Sequence, residues 1–573
     1  MVMRNLLSVR TLISHAFLQF KEGFNINKKA SEYPLSYPKA ASWNSSTDCC
    51  SWDGVDIDGI KCHQHTNQVI HIDLSSSQLY GTLVANSSLF HLVHLQVLDL
   101  SDNDFNYSKI PSKIGELPRL KFLNLSLRVL FSREIPPQVS QLFMLLSLDL
   151  GGFRAVVHPK GSTSNLLQLK LSSLKSIIQN STKHETLLLS FVTISSTLPD
   201  TLTNLTSLKK LSLYNSELYG EFPVGVFRLP NLELLDLGYN QNLNGSFPNF
   251  QSSSLTQLLL DDTGFYGALP VSIGKLSSLI VLKIRDCHFF GYIPSSLGNL
   301  TQLKAIFLRN NKFKGYPSAS LANLTKLRTL EVALNEFTIE TFSWVGRLSS
   351  LTGLDISSVN IGSGIPLSFA NLTLEVFIAR NSSIMGEIPS WIMNQTNLGI
   401  LNLAYNFLHG KLELDTFLKF KNLIILNLSF NKLSLHSGNS SSRMIDYAIQ
   451  SLVLASCNLV EIPTFIRDMA DLDFLRGPIP QNNQFSTFKD DSFEGNQDLC
   501  GDQLLKKCID HAGPSTSDDD DDDSGSSFFE LYWTVVLIGY GGGLDAGVAL
   551  GNTYFLQFSS VLVIAYCKSF LSV

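Results

Sequence analysis

Charge is scarce in this chain. Only 16% of its 573 residues are Asp, Glu, Lys or Arg, and the formal net charge is −6. With a pI near 6.1 the chain has no basic footprint for nucleic acid. No set of nucleophile, base and orienting group stands out either. The polar residues fall on a fixed period instead, so neither an enzyme nor a cofactor is expected. Residues 1–15 lack a long apolar run, because Arg4 and Arg10 break it into short pieces. An export signal needs a core of roughly 7–15 apolar residues, so this reads as a degenerate or absent signal segment. Cysteine is sparse as well, eight in all, and five of these flank the two ends of a repeating region.

What is present is one phrase repeated about sixteen times between Ile72 and Leu475, a Leu-x-Leu-x-x-Asn core and a following Gly-x-Ile-Pro turn. The first apolar residue of the core recurs at Leu187, Leu211, Leu235, Leu258, Leu282, Ile306, Leu330 and Leu354, spacings of 23 or 24 residues, and again at Leu401 and Leu426. This is a leucine-rich-repeat solenoid of α/β type, with a parallel sheet on its concave face. In Leu235-Asp236-Leu237-Gly238-Tyr239-Asn240 the leucines point inward and the alternate residues outward, because side chains alternate across a strand. Asn103, Asn240, Asn311, Asn335, Asn381, Asn406 and Asn431 fall at the bend, where an amide can satisfy buried backbone groups. Cys287 and Cys457 occupy the same slot and read as structural thiols.

The turn phrase reads Gly220-Glu221-Phe222-Pro223, Gly267-Ala268-Leu269-Pro270, Gly291-Tyr292-Ile293-Pro294 and Gly386-Glu387-Ile388-Pro389. Gly supplies the turn, and Pro ends pairing after a short second strand. The phrase resembles the plant-specific subclass of leucine-rich repeats found in extracellular receptors.

Fourteen Asn-x-Ser/Thr sequons imply a secretory route. Twelve are expected to be used: Asn44, Asn86, Asn106, Asn180, Asn204, Asn244, Asn299, Asn323, Asn371, Asn381, Asn394 and Asn439. Asn124 and Asn427 lie inside strand cores and are expected to be used least. Cys49, Cys50 and Cys62 precede the first repeat, and Cys500 and Cys508 follow the last. A solenoid must cover its apolar ends there, so capping disulfides are the natural reading, with the pairing of the first three left open. A metal site from Cys62, His63 and His65 is the weaker alternative, and no metal is expected.

After the repeats come six aspartates, 518–523, and then an apolar run, 531–555, long enough for the roughly 20 residues a membrane helix needs. Calcium binding by the aspartates has no fixed ligand geometry to support it. Gly539, Gly543, Gly547 and Gly551 form one helix stripe in the apolar run, the pattern of close helix–helix packing. A phosphate loop at 541–543 lacks the strand and helix it would need. Asp545 within the run would have to pair with a partner helix or weaken insertion. With the sequons outside, the topology is single-pass type I at the plasma membrane, and no kinase follows the span.

The segments Ser42-Trp43-Asn44 through Gly54 and Phe493-Glu494-Gly495-Asn496 through Cys508 look like the caps of plant receptor-like proteins. From Phe17 to the glycine stripe the chain resembles those of the Cf-type, Verticillium-resistance-like disease-resistance class. That resemblance implies a receptor sensing a pathogen-derived or apoplastic peptide or protein ligand. It implies an adaptor receptor kinase bound through Gly539, Gly543, Gly547 and Gly551. It also implies a co-receptor kinase, but Leu475-Arg476 joins a strand core directly to Gly477-Pro478-Ile479-Pro480, as though the repeats that would dock it were deleted, which puts that partner in doubt. A cysteine upstream of Phe17 is missing too, so one of Cys49, Cys50 and Cys62 lacks its family partner. The half-formed coil at this join is expected to fray.

The expected organisation is therefore a signal segment at 1–15, an N-terminal cap at 16–68, repeats at 69–480 with a deletion at 475–476, a C-terminal cap at 481–510, an acidic segment at 511–530, one transmembrane helix at 531–555 and an apolar tail at 556–573. Ligand contact is expected from outward strand residues, namely Tyr214, Tyr239, Asp261, Asp262, Arg285, Asp286, Arg309 and Asn310. A developmental peptide receptor-like protein, or a truncated non-signalling decoy or defective allele, are the alternative readings.

Overall fold

The computed structural model describes residues 14–459, with gaps at 46–49, 51, 53–59, 64–65, 67, 127–132, 153–166, 181, 338–341, 437–448 and 455–456, together with the strands Phe474–Pro478 and Leu499–Cys500. The chain divides into two compact units, Met1–Lys507 and Cys508–Val573, and every described residue belongs to the first. Cys49, Cys508, Asn439, the four stripe glycines and the 531–555 run lie outside the described residues.

Most of the described coils open with a three-residue strand whose middle residue is the first apolar residue of the core. Leu211, Leu235, Leu258, Leu282 and Ile306 pair laterally without a shift, so one parallel ladder stacks the leucines. Leu235, Leu258 and Leu282 have no exposed surface. Burial of such a side chain contributes about 1.5–3 kcal/mol, and no coil can supply it alone, since each covers its neighbour. The ladder runs on to Leu452, which pairs with Leu475 in the strand Phe474–Pro478. Gly477 and Pro478 of that strand pair with Leu499 and Cys500, so backbone pairing continues through the join.

Beyond each core the chain makes a second, shorter ladder through Tyr219–Glu221, Asn240–Gly245, Thr263–Ala268, His288–Gly291, Lys312–Gly315 and Glu336–Phe337. Gly220, Gly267 and Gly291 have φ of +78°, +101° and +83°, a conformation that disfavours any side chain. The returning limb is a single 3₁₀ turn that begins after the proline, as in Ser295–Asn299, and buries one leucine, Leu297. One coil departs from this pattern with a true α-helix, Leu171–Asn180, which buries Leu174, Ile177 and Ile178. Between the two ladders Phe289, Phe313 and Phe337 stack in parallel, with centroids 6.3 and 6.4 Å apart.

The N-terminal end is covered by antiparallel pairs, Ile60–Cys62 on Val69–Asp73 and Phe24–Ile26 on Leu79–Gly81. Cys50 is bonded to Cys62, which leaves no free thiol for the Cys62, His63 and His65 metal alternative. Trp43 stacks on Trp52 at 5.3 Å, and Phe17 meets both rings edge-on.

Candidate ligand-binding face

The bend after each strand has a feature not evident from the repeat phrase. Four residues after the first core leucine the backbone turns left-handed at Asn215, Tyr239, Asp262, Asp286, Asn310, Leu334, Ser358, Asn381, Tyr405 and Phe430, with φ between 50° and 58°. The next residue then points inward between coils. Asn240 donates from Nδ2 to the carbonyls of Leu213, Leu237 and Gly238. Its Oδ1 accepts from the amides of Ser216 and Leu218. Asn103, Asn311, Asn335, Asn406 and Asn431 have equivalent bonds. Cys287 fills the slot with its thiol on the carbonyls of Leu260 and Arg285, and Cys457 with its own on Leu428. Burial pushes both thiols up to about 12, consistent with inert structural groups.

Asn381 is a correction. Its φ is +52°, it is exposed, and the inward slot belongs to Ser382, which donates to the carbonyls of Ile356 and Arg380. The core there opens on Phe377 rather than a leucine, so the pattern read one residue early.

The eight outward residues expected to contact ligand all lie on the face of the main ladder, but they divide into two kinds. Tyr214 and Tyr239 are half-buried with rings 4.9 Å apart, and Phe191 extends the row at 5.2 Å. Asp262 accepts from Gln241, and Asn310 donates to Asp286 at 2.8 Å. Arg309 is half-buried. Asp261 and Arg285, by contrast, are each only 3% exposed. They are directed away from the leucine core, yet neighbouring side chains close over them.

The reason is a buried charge network. Asp261 accepts from Nε and Nη2 of Arg285 at 3.2 and 2.9 Å and pairs with Lys283 at 2.7 Å. Burial alone would raise the Asp261 carboxyl, but the charges of Arg285 and Lys283 hold it below its usual value. Nη1 of Arg285 is 3.6 Å from Glu331, whose Oε2 has no hydrogen-bond partner. Because Arg285 is committed to Asp261, burial wins at Glu331 and pushes its carboxyl up to about 7. Phe307 lies beneath, 5.2 Å from the Arg285 guanidinium and 1% exposed. Lys283, Phe307 and Glu331 fall one residue after the first core leucine, a column that strand alternation also turns outward and that the sequence analysis left out.

Further along the same face Tyr405 stacks on Phe430 at 4.2 Å, with Arg380 4.8 Å over the Tyr405 ring. The face thus runs from an aromatic row through a buried ion network to a second aromatic pair. A cavity of about 430 Å³ near Phe90, His91, Lys113 and Glu116 lies between two returning limbs, away from this face.

Of the sequons, Asn44, Asn86, Asn106, Asn180, Asn204, Asn244, Asn299, Asn323, Asn371, Asn381 and Asn394 are exposed. Asn124 and Asn427 are half-buried on the face itself: Asn124 donates to Asp99, and Asn427 accepts from Ser429. Among the described residues no helix is long and apolar enough to cross a membrane.

Comparison with known proteins agrees with this architecture. Residues 14–56 match a leucine rich repeat N-terminal domain, 94–117 a leucine rich repeat, and 252–481 a leucine-rich repeat region. Receptor-like protein 6 of Arabidopsis thaliana is 41% identical over 249 residues, which cover 43% of this chain and 24% of that protein. Receptor-like protein Cf-9 of Solanum pimpinellifolium is 36% identical over 279 residues, covering 46% and 30%. The match thus spans less than a third of the length of these relatives. The chain in the crystal structure of PEPR1-AtPEP1 has a TM-score of 0.55 at 23% identity, over 86% of this chain and 75% of that one. The crystal structure of a TDR receptor gives 0.52 at 21%, over 77% and 85%. At those identities the structural likeness is one of fold, whereas the sequence relatives that the chain matches over part of its length are receptor-like proteins of plants, and the matched family models are leucine-rich-repeat ones.

Proposed function

We propose that this protein is a cell-surface receptor, sensing an extracellular, pathogen-derived peptide or protein in plant defence. The observation that carries the reading is the face of the main ladder. Its tyrosines and charged residues follow one another from coil to coil along one exposed side of the ladder. Tyr214, Tyr239, Asp262, Asp286, Arg309 and Asn310 are the contact residues. Asp261 and Arg285 act behind them as a rigid support.

Signalling passes to a laterally recruited receptor kinase. Gly539, Gly543, Gly547 and Gly551 supply the packing stripe for an adaptor kinase in a single membrane span at 531–555, with the repeats outside the plasma membrane. The test is a defence-response assay in leaf cells expressing the full chain and challenged with pathogen culture fractions. A response abolished by Tyr239→Ala with Arg309→Ala, at unchanged protein level, supports the reading. A response indifferent to both substitutions contradicts it.

A further inference from the structure

The second ladder has an outward face of its own, and its exposed residues are unusually aromatic for a solvent-facing sheet. Tyr219 is 47% exposed and Tyr266 is 45% exposed. Between them, on the strand Asn240–Gly245, stands the sequon Asn244-Gly245-Ser246. Asn242 pairs with Tyr219 and Asn244 with Gly264, so Asn244 lies diagonal to Tyr219 on one side and to Tyr266 on the other. Strands about 4.8 Å apart with a rise of about 3.3 Å per residue put each tyrosine roughly 8 Å from Asn244 on the same face.

The floor beside Asn244 is bare on the side of Tyr266, where Gly264 lies opposite it, while on the side of Tyr219 its partner is the exposed Glu221. Gly264 does not have a positive φ, so its backbone does not require glycine. Space does: a Cβ there would come within 2.3 Å of Asn244 Oδ1 and 3.1 Å of the Gln241 carbonyl. Asn244 thus stands between the exposed Glu221, directly opposite on one neighbouring strand, and the bare Gly264 on the other, with a tyrosine at each of two opposite diagonals.

We propose that Asn244 carries an N-linked glycan whose first N-acetylglucosamine packs against the rings of Tyr219 and Tyr266, so that the sugar covers this part of the second ladder. The inference rests on the reading that the chain enters the secretory lumen. The attachment joins Asn244 Nδ2 to C1 of the sugar, breaks the bond of that sugar to its lipid pyrophosphate carrier and releases one amide proton. A pyranose ring has an apolar face of C–H groups with slight positive charge, complementary to the negative face of an aromatic ring. Burying that face against the tyrosines removes apolar surface from water on both sides. A protein partner is then excluded from Tyr219 and Tyr266, while Phe290, Tyr292 and Tyr316 further along the ladder stay open at 51%, 66% and 56% exposure.

The experiment uses the full chain expressed in leaf cells, with glycopeptide mass spectrometry at every sequon and nitration of tyrosines in the native protein. Ser246→Ala removes the sequon at an exposed position and leaves Asn244 in place. Expected is an occupied Asn244, with Tyr219 and Tyr266 nitrated several-fold more slowly in the parent than in Ser246→Ala, and Tyr292 and Tyr316 unchanged. Trimming the glycan to its first sugar preserves that protection. Equal nitration in the two proteins, with Asn244 occupied, overturns the proposal. An empty Asn244 beside occupied sequons elsewhere also overturns it while leaving the secretory reading intact, and the absence of glycan at every sequon overturns both.

Discussion

Asp261 holds Arg285 three times over, accepting from its backbone amide at 2.9 Å, from Nε at 3.2 Å and from Nη2 at 2.9 Å. Two adjacent coils are thereby tied on the face of the sheet rather than in the leucine core. Removing one partner of such a buried pair strands the other charge, at a cost of about 3–5 kcal/mol. Asp261→Ala is therefore expected to destabilise the ectodomain by about that much in chemical denaturation. A double substitution that replaces Asp261 and Arg285 with apolar residues should recover most of the loss. A loss no smaller in the double variant would show that the pair is not acting as a unit.

Glu331 gives the face a pH dependence. Its carboxyl moves from 4.5 to about 7, so between those values the folded protein holds a proton that the unfolded chain has released. That contribution to stability is complete below 4.5 and lost as pH rises through 7. Asp149 and Asp236, raised from 3.8 to about 6, act in the same direction. His184 opposes them: burial lowers it from 6.5 to about 4, so its contribution is present above 6.5 and lost as pH falls through 4. The stability of the parent minus that of Glu331→Gln cancels the other groups and should fall steadily from pH 4.5 to 7.5. A difference that stays flat across that range would refute the assignment.

Five hydrogen bonds converge on Asn240, and Ala in its place would leave buried amides and carbonyls unpaired. Each such group costs about 1–3 kcal/mol, so Asn240→Ala should lose about 3 kcal/mol or more. Hydrogen exchange at the Ser216 and Leu218 amides should accelerate with it. A loss below about 1 kcal/mol, the net worth of a single ordinary hydrogen bond, would mean that water replaces the amide.

Leu334 occupies a left-handed position at φ +51° with 38% of its surface exposed. Asn tolerates that conformation and Val does not. Leu334→Asn should raise stability by about 0.5–1 kcal/mol, and Leu334→Val should lower it. Thermal unfolding of the two variants in parallel decides this, and the reverse order would show that the leucine packing outweighs the backbone.

Much of the fold is legible from local pattern, because the stacking of Leu211, Leu235 and Leu258 requires only that each coil repeat its neighbour. The Asn slot could be read wherever the core opens on leucine, and it slipped by one residue at Asn381 where Phe377 replaces it. The helix Leu171–Asn180 was not legible, since it replaces the usual 3₁₀ limb in a coil without the regular phrase. The site was legible in position but not in state. Strand alternation turns Asp261 and Arg285 outward, yet their burial comes from Lys283 on the Arg285 coil and from Phe307 and Glu331 on the two coils that follow, a set that no single repeat contains.

Whether the repeats face the cell exterior is decided by the mass of the tagged full chain from leaf cells before and after glycosidase treatment. A large decrease is expected, because eleven sequons among the described residues are exposed. An unchanged mass would mean that no sequon met the glycosylation machinery, and would contradict the assignment of this face to extracellular sensing.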